Sequence, residues 1–215
     1  ALRDLVGGGR TVLLADARNF PDAVAAGGYA AAGSPVPLLL TPGGDNDLHP
    51  AARQALADLR PDRIVLLGGR AALSGGVERA AAATGVATVR VAGPARDHTA
   101  AEIARQLWGR TAAGQGYGFV AADLYDPELG WAGALAAASL AATAAAPLLA
   151  LNPALDARPP EGTAAYLAGL DFWAGRPGYG WVVGPAPDGA VAALAGLLGS
   201  EDRKGAAAPR GETLD

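Results

Sequence analysis

Val12-Leu13-Leu14-Ala15, followed by Asn19-Phe20-Pro21-Asp22-Ala23-Val24-Ala25-Ala26-Gly27, is the stretch that decides the fold. The apolar run reads as a buried strand, and the segment after it as a short loop opening into a helix. Asn19 stands where a side chain can cap that helix. Asp22, three residues on, stands where a carboxylate meets the free amides of the first turn. A weaker copy follows: Phe119-Val120-Ala121-Ala122-Asp123, then Trp131-Ala132-Gly133-Ala134-Leu135.

Upstream, residues 1–6 read as a helix end closed by Gly7-Gly8-Gly9. Downstream, Gly33-Ser34-Pro35 turns the chain into Pro37-Leu38-Leu39-Leu40-Thr41, a short buried strand. The polar loop from Pro42 to Leu48 leads to a helix from about Pro50 to Leu59, with Ala52, Leu56 and Leu59 at helical spacing. Arg63-Ile64-Val65-Leu66-Leu67 is a strand ended by Gly68-Gly69. A helix from Leu73 to Ala83, a strand from Ala87 to Ala92 and a helix from Asp97 to Trp108 follow. After Gly114-Gln115-Gly116 the pattern restarts, with strands at 118–123, 147–151 and 180–183 and helices at 129–145, 160–170 and 187–198.

Strands alternating with single helices imply right-handed crossovers and mostly parallel sheets covered on both faces. The offset between copies is 107 at Asp16/Asp123, 110 at Pro37/Pro147 and 116 at Gly68/Gly184, as loop insertions into a duplicated unit would produce. The expected architecture is therefore α/β, with two tandem units at residues 1–110 and 111–199 and a flexible polar tail over residues 200–215.

Composition narrows the function. The chain has 215 residues, enough for a sizeable core, and a net charge of −4, with +2 on residues 1–110 and −6 on residues 111–215. No basic face marks a general nucleic-acid binder. The absence of Cys removes disulfides, thiolate metal sites and Cys nucleophiles. Residues 132–151 carry no charge, but they are mostly Ala and Pro147 interrupts them. That run reads as a helix followed by a buried strand, not as a membrane span. The chain opens on Ala1, so its N-terminus gives no reading of localisation.

Four motifs occur in one order: residues 20–27, residues 37–41, Ile64-Val65-Leu66-Leu67-Gly68-Gly69 with Ala72-Leu73-Ser74, and Val91-Ala92-Gly93-Pro94-Ala95-Arg96-Asp97-His98-Thr99-Ala100 with Ile103-Ala104. Together they resemble the type 2 cell-wall-binding repeat of Gram-positive surface proteins, well over residues 12–104 and loosely over residues 118–198. The resemblance implies Rossmann-like or Toprim-like units. It also implies an extracellular, wall-associated module that holds an anionic wall polysaccharide without catalysis or cofactor. That family usually packs three repeats about a pseudo-threefold axis. With two here, the third is supplied by another chain, as in a homo-oligomer, or is absent. The second copy departs from the pattern. It has Gly133 for Asp22, Gly184-Pro185 for Gly68-Gly69, and no counterpart of Arg96-x-x-Thr99-Ala100, which puts its ligand binding in doubt.

Arg96 with Thr99 leads the candidate binding residues, since Gly93 frees the backbone before a helix whose first turn offers amides to an anion. The competing role for Arg96 is bracing a neighbouring unit through a carboxylate. Arg18 and Arg70 lie in equivalent loops and would join Arg96 in a positive rim. Asp22 reads first as a helix-start acid worth ~0.5–1 kcal/mol and second as a ligand contact, because α/β sheets place ligands at strand carboxyl ends. Gly68, Gly69 and Gly93 complete the set.

Gly68-Gly69 lacks the rest of a dinucleotide or phosphate-loop motif, so tight packing is expected there. Asp45-Asn46-Asp47 with His49 reads as a solvated turn before a cation site. His98 reads as a surface histidine with no nucleophile to pair with. Trp131, Trp173 and Trp181 with Tyr125, Tyr166 and Tyr179 gather the aromatics in the second half, where they fill a core or meet a partner. Besides the wall-binding reading stand an enzyme or small-molecule or nucleotide binder with a Rossmann-like cleft at Gly68-Gly69 and Gly93, and an assembly scaffold without carbohydrate affinity.

Overall fold

A computed structural model describes residues 11–32, 35–108, 118–126, 130–152, 161–169, 179–186 and 189–197. The expected N-terminal helix, the tail over residues 200–215 and Trp173 lie outside the described residues. The first half runs β1 (Thr11–Asp16), α1 (Pro21–Ala31), β2 (Leu38–Thr41), α2 (Pro50–Leu59), β3 (Arg63–Leu67), α3 (Gly75–Ala82), β4 (Ala87–Val91) and α4 (Arg96–Gln106). The second runs β5 (Gly118–Asp123), α5 (Gly130–Thr143), β6 (Leu148–Leu151), α6 (Gly162–Ala168), β7 (Tyr179–Val183) and α7 (Ala190–Leu197).

The strands form two parallel sheets, in the order β2-β1-β3-β4 and β6-β5-β7. The first registers Asp16 on Thr41, Leu14 on Leu66 and Leu67 on Val91; the second registers Asp123 on Leu151 and Ala122 on Val183. The duplication therefore extends to topology, with β6-β5-β7 repeating β2-β1-β3. Parallel strands need cover on both faces, and β1 supplies it by alternation. Val12 and Leu14 point to a layer of α2 and α3, with Leu56, Leu59 and Val77. Leu13 and Ala15 point the other way, to Val24 and Ala25 of α1.

That second face is where the units merge. Leu13, Val65 and Leu67 of the first sheet share one core with Val120, Ala122, Leu148 and Ala150 of the second, with α1 and α5 between them. The far face of the second sheet, Phe119, Ala121, Leu149 and Leu151, is covered by α6 and α7 and by Ala101 and Ala104 of α4. Helix α4 thus follows the first sheet in the chain but packs on the second.

Close approach of α1 and α5 depends on small residues. An ideal Cβ on Gly28 would lie 2.7 Å from Ala141 Cβ, whereas one on Gly27 would lie 3.4 Å from Ala138 Cβ. The first distance demands displacement and the second is near ordinary contact. Asn19 does not cap α1. The cap position falls on Phe20, with no side-chain hydrogen bond, because Pro21 at the first helical position already removes one free N–H. Asp22 does occupy the first turn.

Substitution of Gly28 by Ala is expected to destabilise the fold by about 1–3 kcal/mol through overpacking. Gly27→Ala should cost less than about 0.5 kcal/mol, since helix propensity offsets the contact. Urea unfolding of the two variants measures the difference. Equal stabilities would show that the helices are not held at this spacing.

Candidate functional site

In a sheet of order 2-1-3-4 the connections diverge between β1 and β3, leaving a crevice outside their carboxyl ends. Asp16 ends β1, and its Oδ1 accepts hydrogen bonds from the amides of Arg18 (3.1 Å) and Gly43 (2.8 Å), fixing the loops after β1 and β2. Asp123 repeats this at the end of β5, accepting from the amides of Tyr125 (2.7 Å) and Asp126 (3.2 Å).

Across the first crevice Gly68 ends β3 at φ +94°, and a Cβ there would stand 2.0 Å from Asp22 Oδ2. Gly68 is therefore required both by its left-handed backbone and by the carboxylate above it. Burial pushes the Asp22 carboxyl above its ordinary 3.8; the Arg96 charge opposes this and Asp16 reinforces it. In the second unit Gly133 replaces Asp22 and faces Gly184, again at positive φ; a Cβ built on Gly184 would stand 3.3 Å from the Gly133 Cα. Beside them lies a small notch lined by Asp123, Asp126, Gly130, Val183 and Pro185.

Arg96 bridges the two units. Its Nη1 donates to the carbonyls of Leu124 (2.6 Å) and Tyr125 (3.4 Å), and the guanidinium carbon lies 5.4 Å from the centre of the Tyr125 ring. The brace runs through backbone carbonyls where a carboxylate was expected. The neighbouring Asp97 makes the deeper connection, being only 2% exposed. Its Oδ1 accepts from Tyr125 Oη at 2.7 Å and from His98 Nδ1 at 3.1 Å, and its Oδ2 from Asn152 Nδ2 at 3.1 Å. Gly162, at φ +49°, leaves the space in which Oδ2 sits; a Cβ there would stand 2.0 Å away. Burial acts to raise the Asp97 carboxyl, but the bonds from Tyr125, Asn152 and His98 outweigh it and hold the group below 3.8. Burial and the bond to Asp97 push the Tyr125 phenol up to about 12.

The remaining predicted residues divide between frame and rim. Thr99 is buried, and its Oγ1 accepts from the Gly93 amide at 3.1 Å, closing the β4–α4 loop. A Cβ on Gly93 would collide with His98 at 2.3 Å. Gly69 has open space beside it. Arg18 and Arg70 are 61% and 78% exposed, and they face Asp45 at 3.2 Å and Glu78 at 3.6 Å. Arg18, Asp22, Gly68 and Arg70 thus gather around the first crevice, while Arg96, Thr99 and Gly93 sit at the seam with the second unit.

His98 is not a surface histidine: its side chain is 24% exposed and tied to Asp97. At the Asp45–His49 turn, Asp45 pairs with Arg18 and Asp47 with Arg53, and His49 Nδ1 accepts from the Ala51 amide as a helix cap. Among the described residues no group of three or more His, Cys, Asp or Glu is placed to hold a metal ion. Nor, among them, is any helix long and apolar enough to cross a membrane.

A family match to Cell wall binding domain 2 (CWB2) covers residues 4–78 and 90–196 in two segments. The chain belongs to the CWB2 family. Two solved structures share the fold, both from Clostridium difficile. Cwp6 has 21% identity and a TM-score of 0.64, with 82% of this chain and 25% of that one covered. Cwp8 has 22% identity and a TM-score of 0.62, with 89% and 30% covered. This chain spans about a quarter to a third of either protein. No curated protein matches it.

Within this CWB2 pair, Asp97, Tyr125 and Asn152 escaped the reading of the sequence. The signal present was position alone, since Tyr125 lies two residues past the end of β5 and Asn152 one residue past the end of β6. Asp22 and Asp97 should respond oppositely to pH. A depressed carboxyl stabilises the fold above its ordinary value and loses that contribution as pH falls through its folded value; a raised one does the reverse. Asp97→Asn is expected to cost about 2–4 kcal/mol at pH 7, with the difference shrinking below about pH 4. Asp22→Asn should be neutral or stabilising at pH 7 and lose any gain in acid. Melting temperatures of both variants from pH 3 to 7 check the signs.

Proposed function

We propose that this CWB2 pair is a non-catalytic, extracellular module that attaches its protein to an anionic glycopolymer of a Gram-positive cell wall. Family membership over both units supports wall binding. The observation that carries the polymer's charge is the pair of exposed guanidiniums, Arg18 and Arg70, at the first crevice. Their acidic partners hold them only as surface ion pairs, worth about 0–1 kcal/mol each. A phosphate or carboxylate on the polymer can recruit either arginine at little cost, and the bidentate fork suits such groups.

Arg96, Thr99 and Gly93 then act by fixing the seam, and Asp22 with Gly68 by shaping the crevice floor. A nucleotide is disfavoured there, because the Asp22 carboxylate already lies over the glycine beside which a phosphate would approach. The second unit acts as a frame, since Gly133 and Gly184-Pro185 stand where the first has Asp22 and Gly68-Gly69.

Co-sedimentation with purified Gram-positive wall, before and after acid extraction of its anionic polymer, tests this reading. Binding is expected to disappear with the polymer and to weaken with salt. The Arg18→Ala/Arg70→Ala double variant should lose about ten-fold or more in affinity with an unchanged melting temperature. Wall binding that survives polymer extraction would overturn the anionic ligand, and no binding to either wall would overturn the function.

A second reading, the assembly scaffold, draws on α5. Trp131 and Leu135, one helical turn apart, are each 51% exposed on a helix whose other face already forms the contact with α1. The occupant it names is a second copy of this chain. Sedimentation velocity across a concentration series should then show a mass increase that Trp131→Ser/Leu135→Ser abolishes; a constant monomer mass removes the scaffold.

A further inference from the structure

Between the β4–α4 loop and α6 lies an open cleft of about 600 Å³, separate from the β1/β3 crevice. That is within the range of about 300–1,000 Å³ usual for small-molecule sites. Its floor is kept clear by Gly93 and Gly162, two positions where a Cβ would strike His98 or Asp97. Pro94, Ala92 and Ala165 give it apolar wall.

The polar lining has a definite sense. Glu102 and Glu161 supply two carboxylates against the single guanidinium of Arg105, which is itself bonded to Glu102 at 2.7 Å. Arg105 is further occupied by the Tyr166 ring, whose centre lies 5.3 Å from the guanidinium carbon. His98 stands between two carboxylates: its Nδ1 donates to Asp97, and its Nε2 faces Glu161, with Oε2 3.7 Å away. Asp97 is occupied by its own bonds, whereas the Glu161 side chain is 70% exposed and lies beyond hydrogen-bond distance of the ring, so its oxygens are within reach of a donor from a ligand. Negative charge and preset acceptors favour hydroxyl or ammonium groups and repel phosphate.

We propose that this cleft binds a sugar residue through its hydrogen-bond donors, hydroxyl or ammonium, and excludes phosphate. Its place in wall attachment rests on the function proposed above. On that footing one face of the seam reads the polymer's sugars, while Arg18 and Arg70 read its anionic groups.

Amide chemical-shift titration of the ¹⁵N-labelled chain with glucosamine, glucose and inorganic phosphate tests the proposal. Saturable shifts at Gly93, His98 and Gly162 are expected with a sugar and not with phosphate. Glu161→Gln, at an exposed position, should weaken glucosamine by about five-fold. An effect on glucosamine alone names the ammonium as the recognised group, and an equal effect on glucose names the hydroxyls. Absence of saturable shifts with both sugars, or equal shifts with phosphate, overturns the proposal. No wall enters this titration. Shifts in a chain that ignores walls would sink the attachment function and leave the cleft, and wall binding without shifts would do the opposite.

Discussion

The hydrogen bonding of one buried carboxylate governs how the two halves meet. Asp97 begins the helix that leaves the first sheet, and its oxygens are held by Tyr125 and Asn152, from the ends of two strands of the second. A carboxylate this deeply buried is tolerated only when its lone pairs are occupied, and here two of the three side-chain donors, Tyr125 and Asn152, come from the other unit. Docking of α4 on the second sheet and satisfaction of Asp97 are therefore one event. Arg96, the residue before it, can then reach the Leu124 carbonyl.

Packing gives the same result by another route. One core runs from the inner face of the first sheet through α1 and α5 to the inner face of the second. Each buried Leu or Val in it contributes about 1.5–3 kcal/mol, but only if the helices approach to the spacing that Gly28 and Ala141 allow. The units are consequently two by sequence and one by burial. A site at their seam can be rigid although it is assembled from segments far apart in the chain.

Duplication has also divided the labour between the copies. Asp16 and Asp123 perform the same loop-fixing task, so that part of the unit persisted in both. Asp22 and Gly133 do not. In the first copy a carboxylate stands over a left-handed glycine with two exposed arginines nearby; in the second, Gly133 brings no side chain to the left-handed Gly184. The first copy keeps the carboxylate and the exposed arginines, and the second supplies the partner surface that Arg96 and Asp97 require.

The sequence by itself determined the strands and helices, their duplication and the parallel class, because near-continuous apolar runs such as 12–15 and 64–67 can be buried only one way. It also marked Asp22, Gly68 and Arg96, which the fold brings to the crevice and its edge. Local signals misled at Asn19, where Pro21 makes the cap unnecessary, and at His98, which was set apart from the adjacent Asp97 although the two side chains are bonded. Only the tertiary structure decided that α4 belongs to the second sheet, that Asp97 is buried, and that Tyr125, Asn152 and Gly162 surround it. The reason is physical: strand and helix periodicities are set within a few residues, whereas a buried charge is set by donors that lie 28 and 55 positions away.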